Sequence, residues 1–185
     1  MPRPPEPGRN ALLTAGAEIA GREGMRGLSV NAVVAAAGMA KGTFYHHFPD
    51  RRSYVVALHH RYHEELGAVI LAAIAGCEPG AERLRTGIAA YLDACLATSG
   101  TKAFLAQSRT DTDLIDQVHE RNQLFAAMIG PDLTELGWSD PEPVALLVIA
   151  MVAETALAEL YSAGPQPDLR AALTALMERD PRHQG

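Results

Sequence analysis

The sequence predicts an all-α protein: a small N-terminal helical domain built on a helix-turn-helix, followed by a larger helical domain. Three observations carry this prediction. Apolar residues recur at three- and four-residue intervals along most of the 185 residues, with no stretch of strand-like alternation. Gly and Pro punctuate the chain at intervals suited to helix ends rather than hairpins. The charge is divided: residues 1–61 hold eight Lys/Arg against four Asp/Glu, while residues 62–185 hold eight against eighteen, within a formal net charge of −6. A basic N-terminal part suits a polyanion and an acidic remainder repels one, so the division would also orient the molecule.

The first ten residues, MPRPPEPGRN, are rich in proline and lack the apolar centre of a signal peptide. Residues 1–9 are expected to be a disordered arm. Its Arg3 and Arg9 are either a solvated tail or a minor-groove reader. The first helix is expected over about Asn10–Arg22, capped by Asn10, with Leu12, Leu13, Gly16, Ile19 and Ala20 on its apolar side. Leu28–Phe48 then reads LSVNAVVAAAGMAKGTFYHHF, two short helices around a glycine turn. Ser29 can accept a hydrogen bond from a free amide of the first turn. Val30, Val33, Val34 and Ala37 make one face, and Gly38 stands where the helix must stop in a left-handed conformation. Phe44 and Phe48, four apart, turn the second helix inward. Lys41, Gly42, Thr43, Tyr45 and His46 are left on its outer side. A cation, a bare backbone position, a hydroxyl, a phenol and an imidazole are what a major-groove helix uses on base edges and flanking phosphates. An ordinary helical hairpin with a polar solvent face would share the spacing.

The run AAAGMAKGTFYHHFPDRRSYVVA resembles the TetR (tetracycline-repressor) family of bacterial regulators. Ser29, Ala37, Gly38, Gly42, Tyr45, His47 and Phe48 match the family signature, and Arg51 stands at its usual Lys. Met39 replaces the usual Val and keeps an apolar contact. Ala40 replaces the usual Ser and removes a hydroxyl that often touches phosphate. The resemblance covers about the first 60 residues. It implies a DNA-binding set of Ser29, Lys41, Gly42, Thr43, Tyr45, His46, His47 and Arg51. It also implies a homodimer on an inverted-repeat operator, and a small-molecule effector bound in the helical body. On this outline residues 10–52 form the DNA-binding domain and residues 53–185 the ligand-binding and dimerisation domain.

Pro49-Asp50 ends the reading helix and caps the next, expected over about Arg51–Ala75 as the link between the two parts. Tilting its far end should move the reading helix at its near end. It carries LHHRYHEEL, where His59, His60, His63 and Glu64 have spacings that can bind metal. A helical-bundle metalloprotein or enzyme is therefore the alternative function, although no Glu-x-x-His of a di-iron site occurs. Packing at the junction is the other use of these histidines. A ligand-binding protein that has lost DNA binding is a third class, and Lys41, Thr43 and Tyr45 argue against it. No nucleophile elbow, phosphate loop or Cys-x-x-Cys is present, and no enzyme activity or cofactor is expected. Cys77 and Cys95 read as reduced thiols.

Beyond Pro79-Gly80 the expected helices are Glu82–Ser99, Lys102–Ser108, one capped by Asp111 or Asp113 and ended by Gly130-Pro131, and a short turn over Asp132–Leu136. Two more follow over about Glu142–Ala163 and Asp168–Arg179. The first of these, PVALLVIAMVAETALAELY, is apolar nearly all round and must be covered on several sides. Two copies meeting as a four-helix bundle through 142–163 and 168–179 would cover it, as would burial at the centre of a monomer. The longest uncharged apolar run, Pro143–Ala153, falls short of the about 20 residues that a bilayer takes, so no membrane partner is expected and a cytoplasmic location is. Candidate effector contacts are Tyr62, Leu66, Tyr91, Cys95, Phe104, Arg109, Phe125, Met128, Met151 and Glu154. This largely apolar set suits a hydrophobic or aromatic ligand, with Arg109 or Glu154 on a polar end.

Overall fold

The computed structural model of the chain describes residues 7–98 and 115–177, without the side chains of Met25 and Arg26. Among these residues the regular structure is helical throughout: α1 (Pro7–Gly27), α2 (Val30–Ala36), α3 (Lys41–His47), α4 (Arg51–Ala73), α5 (Ala81–Ala97), α6 (Ile115–Glu135), α7 (Pro141–Tyr161) and α8 (Pro167–Met177). The expected helix over Lys102–Ser108 lies outside the described residues, as do Asp111, Asp113, Phe104 and Arg109.

The helices form two compact units. Described residues up to His63, with Thr98 and 115–117, make the first; Glu64–Ala97 and Val118 onward make the second. The division falls inside α4, eleven residues beyond the boundary expected after Arg52. Its first three turns explain why: Tyr54, Val55, Leu58, His59 and Tyr62 are all buried.

In the first unit α1 begins at Pro7, not at Asn10, so residues 7–9 are helical. Proline suits a first helical turn, where its missing N–H has no partner to lose. Asn10 is therefore no cap; its carbonyl accepts from Arg61 Nη1 at 3.2 Å. α1 also extends to Gly27, with a break at Gly24 where φ is 64°. Leu12, Leu13, Ile19, Leu28, Val33, Phe44 and Phe48 form the core. Ser29 caps α2, its Oγ accepting from the Ala32 amide at 3.2 Å. Gly38 closes α2 with φ of 64°. The Gly38 amide bonds to the Ala35 carbonyl and the Met39 amide to the Val34 carbonyl, the paired bonds of a Schellman turn. Asp50 caps α4 as expected, accepting from the Ser53 amide at 2.7 Å and the Ser53 hydroxyl at 2.8 Å. Those donors hold the Asp50 carboxyl below its usual range.

In the second unit α6 runs straight through Gly130-Pro131, where a helix end was expected. Pro131 removes one backbone donor, but the residues after it anchor the last turn. Leu133 is fully buried. Asp132 is 2% exposed and accepts from Arg83 Nη1 at 2.8 Å and from the Gly80 amide at 2.9 Å. The separate turn expected over Asp132–Leu136 is thus the end of α6. A second ion pair ties α7 to α8: Arg170 grips Glu159 through Nε at 2.6 Å and Nη2 at 2.8 Å, and reaches Asp93 of α5 at 2.7 Å. Glu159 is fully buried. Hydrogen bonds from Arg170 outweigh that burial and hold its carboxyl below the usual range.

α7 has 21 residues and an 18-residue window of mean hydropathy 1.9, long and apolar enough to cross a membrane by length and composition, which the shorter run Pro143–Ala153 did not suggest. Its packing is that of a core helix covered on one side. Ala145, Val148, Val152 and Ala156 are buried, while Leu147 and Tyr161 are 66% and 82% exposed. On α8, Leu169 and Leu176 are also exposed.

Candidate nucleic-acid interface and ligand cleft

The outer edge of α3 is set by what its inner edge packs against. Phe44 is fully buried and meets Phe48 and Tyr54 at centroid distances of 5.5 and 5.1 Å. Tyr54 is itself locked, its hydroxyl donating to the Leu12 carbonyl at 2.7 Å, and burial pushes its phenol up. With Phe44 fixed, the 100° step of the helix places Lys41, Gly42, Tyr45 and His46 in solvent and leaves Thr43 half-buried. Tyr45 is 49% exposed and stands edge-on to Phe44 at 5.4 Å, which keeps the phenol upright at the surface. A side chain at Gly42 would meet nothing within 4 Å, so this position is open for a close neighbour from outside.

Three members of the expected DNA-binding set have internal partners. Ser29 is occupied as the α2 cap. Arg51 donates from Nε to the Leu28 carbonyl at 2.9 Å, pinning the start of α4 to the α1–α2 link. The His47 ring lies against the first turn of α1, with Nε2 2.8 Å from where a Gly8 Cβ would be. The outward edge proper is Lys41, Gly42, Thr43, Tyr45 and His46. Arg9, assigned to the arm from sequence, lies in α1 with its guanidinium 5.2 Å from the Phe48 ring centre.

The histidines of α4 are not gathered at a point. The buried His59 and His63 rings lie 4.5 Å apart with their planes tilted by 58°, whereas His60 is exposed. Among the described residues no group of three His, Cys, Asp or Glu is placed to hold a metal ion.

The second unit holds a cleft of about 620 Å³, part of it open to solvent. α4 and the turn after it supply Ile70 and Ile74; α5 supplies Leu84, Ile88 and Tyr91; α7 supplies Val148, Ile149 and Val152. Gly87 lets α4 and α5 approach, since a Cβ there would stand 3.3 Å from Ile74. α6 lays Arg121, Phe125, Met128, Ile129 and Asp132 along the cleft. Of the effector contacts expected from sequence, Tyr91, Phe125 and Met128 line it. The others among the described residues do not. Tyr62 is buried in the first unit, where its hydroxyl meets Thr98 Oγ1 at 2.9 Å. Leu66 and Cys95 are buried outside the lining, Met151 is half-buried, and Glu154 faces solvent. Arg83, Arg121 and Asp132 were missed. The signal for Arg121 was available: a cation heading an apolar stripe at positions i+4, i+7 and i+8.

Residues 12–58 match the family described as bacterial regulatory proteins, tetR family. An uncharacterized HTH-type transcriptional regulator of Mycobacterium tuberculosis is 28% identical over 117 residues, 63% of this chain. The match spans 57% of that relative's length, a little over half. A putative TetR-family regulator from Rhodococcus sp. superposes with TM-score 0.80 at 22% identity, over 95% of this chain and 99% of the other. A transcriptional regulator from Rhodococcus sp. Rha1 does so with TM-score 0.78 at 22% identity, over 94% and 96%. At these identities the two structures share the fold over nearly the whole chain.

Proposed function

We propose that this chain, whose residues 12–58 match the tetR family of bacterial regulatory proteins, is a cytoplasmic repressor that binds an inverted-repeat operator as a homodimer and is released by a small, largely hydrophobic effector. The observation that carries the DNA-binding half is the α3 edge. Lys41, Tyr45 and His46 are exposed around an open Gly42, on a seven-residue helix whose other side holds the fully buried Phe44. Lys41 and Tyr45 are assigned to phosphates and Thr43 to a base edge. Arg51 and His47 act behind this edge, holding α4 and α1 to it.

One such helix spans only a few base pairs, so a palindrome is read by two. The pairing surface is the exposed apolar side of α7 and α8, with Leu147, Tyr161, Leu169 and Leu176. A two-fold pairing of these helices would cover them without any further partner. The effector is assigned to the cleft of the second unit. Ile70 near the far end of α4 belongs to its wall, with Ile74 in the turn just after, and Arg51 begins the same helix. A tilt of this helix on ligand binding is the proposed route from the cleft to the DNA-reading edge. A ligand that prefers the tilted state by about 1–3 kcal/mol would release the operator.

The test is fluorescence anisotropy on duplexes selected from a random pool. Lys41→Ala and Tyr45→Ala should weaken binding to all duplexes, and Lys41→Ala, which removes a charge, should also lower the salt slope by about one. Thr43→Ala should change the order of preference among duplexes. Unchanged binding by all three variants, with unchanged helical content, would remove α3 from the interface. Sedimentation should give a dimer at micromolar concentration; a monomer would refute the pairing.

A further inference from the structure

Asp132 is a carboxylate set into an apolar wall. Its side chain is 3% exposed, and it lines the cleft of the second unit together with Phe125, Met128 and Ile129. Those three precede it on α6 by seven, four and three residues, so all share one face of the helix. An ionised carboxylate has two oxygens and acceptor sites on both. The partners of Asp132 converge on one of them: Oδ1 accepts from Arg83 Nη1 at 2.8 Å and from the Gly80 amide at 2.9 Å. Oδ2 accepts no hydrogen bond among the described residues. Arg83 does not serve it as well, because its Nη2 is directed to the Met128 carbonyl at 3.4 Å.

Tying the end of α6 to the start of α5 therefore uses a single oxygen, which an asparagine of the same shape would also supply. The second oxygen is what the fold does not use. A charged acceptor in a largely apolar cleft is costly to leave unpaired once water is displaced. A ligand that brings a donor to Oδ2 replaces that water; a ligand without one buries the oxygen unmatched. The cleft thus sorts ligands by a single donor, and the preference arises at one atom. The guanidinium already on Oδ1 opposes a second cation beside it, which leaves a neutral O–H as the fitting donor.

Resting on the effector reading above and deepening it, we propose that the cleft takes an uncharged hydroxylated amphiphile: its hydroxyl donates to Asp132 Oδ2, and its apolar body lies along Ile129, Met128 and Phe125. That stretch of α6 is about 10 Å long. Asp132 is then the residue that orients the polar end, the part that sequence reasoning gave to Arg109 or Glu154.

Isomeric probes test this on the purified, isotope-labelled full-length chain by nuclear magnetic resonance titration. Hexanol and methyl pentyl ether contain the same atoms and comparable apolar area, but the ether oxygen only accepts. Hexanol should bind roughly tenfold or more tightly than the ether, with the largest amide shifts at Gly80, Met128, Ile129 and Asp132. Hexylammonium should bind more weakly than hexanol. Asp132→Asn, which puts an amide donor where Oδ2 stood, should bring alcohol and ether within about twofold of each other. Equal affinity for the two isomers, an undiminished preference in Asp132→Asn, tighter binding of hexylammonium, shifts confined to other parts of the chain, or no binding of either isomer would each overturn the proposal. If Asp132→Asn fails to fold, as judged by circular dichroism, the isomer comparison and the position of the shifts on the wild-type chain decide alone. Equal binding of both isomers at the cleft would remove the hydroxyl preference and leave the cleft as the effector site. Duplex binding is measured separately and without probes; its absence would remove the repressor reading and leave the hydroxyl preference standing.

Discussion

Gly16→Ala should destabilise the protein, against the sign that helix propensity gives. Gly16 lies in the middle of α1 and is buried. Alanine in place of glycine inside a helix ordinarily gains about 1 kcal/mol. A Cβ at this position, however, would stand 1.7 Å from Tyr54 Oη and 2.8 Å from Cζ. Relief requires Tyr54 to withdraw by more than 1 Å, and that ring is 1% exposed and packed on Phe44 at 5.1 Å and Phe48 at 5.0 Å. Withdrawal also breaks the hydrogen bond to the Leu12 carbonyl. Overpacking costs about 1–3 kcal/mol, and stranding a buried hydroxyl and carbonyl costs about 1–3 kcal/mol more. Set against the propensity gain, the net loss is about 1–5 kcal/mol. Urea unfolding followed by circular dichroism measures it. Tyr54→Phe alone should cost about 1–2 kcal/mol through the lost hydrogen bond. In the double variant the Gly16→Ala penalty should shrink, because the closest clashing atom is gone. A Gly16→Ala protein as stable as wild type or more so, or strict additivity in the double variant, would refute the packing of α1 on α4 described above.

Three further outcomes are expected. Ala163 ends α7 with φ of 54°, a left-handed conformation that glycine adopts without strain; Ala163→Gly should raise stability by about 1 kcal/mol in the same assay. Ala40 occupies the N-cap of α3 with no side-chain hydrogen bond; Ala40→Ser should stabilise that turn by about 1 kcal/mol, seen as slower amide exchange at Lys41 to Thr43. Glu159→Ala leaves Arg170 with only the exposed Asp93 and should cost about 3 kcal/mol at neutral pH. Because the folded carboxyl titrates below its ordinary 4.5, the wild-type advantage is complete above that pH and fades as pH falls through the lower folded value. Unfolding curves of the two proteins should converge in acid, and a gap that stays constant down to pH 2 would contradict the pairing.

The N-terminal unit was legible in the sequence because its geometry is local. A Ser cap, a left-handed Gly and two Phe four apart each act within one turn of themselves, and all three are found where they were expected. Errors arose where a distant contact overrode a local rule. Pro131 should stop a helix, and does not, because Asp132 is tied to Gly80 and Arg83, about fifty positions earlier. His47 and Arg51 also have contacts within the unit that one dimension does not show, against Gly8 and Leu28. The cleft was half legible. Tyr91, Phe125 and Met128 are apolar residues on inward faces, which periodicity identifies. Arg121 and Arg83 are cations, and only the positions of their neighbours show that they line an apolar space. Ala163 could not have been found from sequence, since the adjacent Gly164 is the residue that the usual helix-ending rule selects.

The most direct measurement is selection of duplexes from a random DNA pool by the purified chain at low ionic strength, without added small molecules, followed by sequencing of what is retained. The account predicts enrichment of an inverted repeat whose two halves are read by α3 from two copies, with the enriched half-site altered in Thr43→Ala. Retention of no sequence above background, by a protein whose helical content is intact, would contradict it.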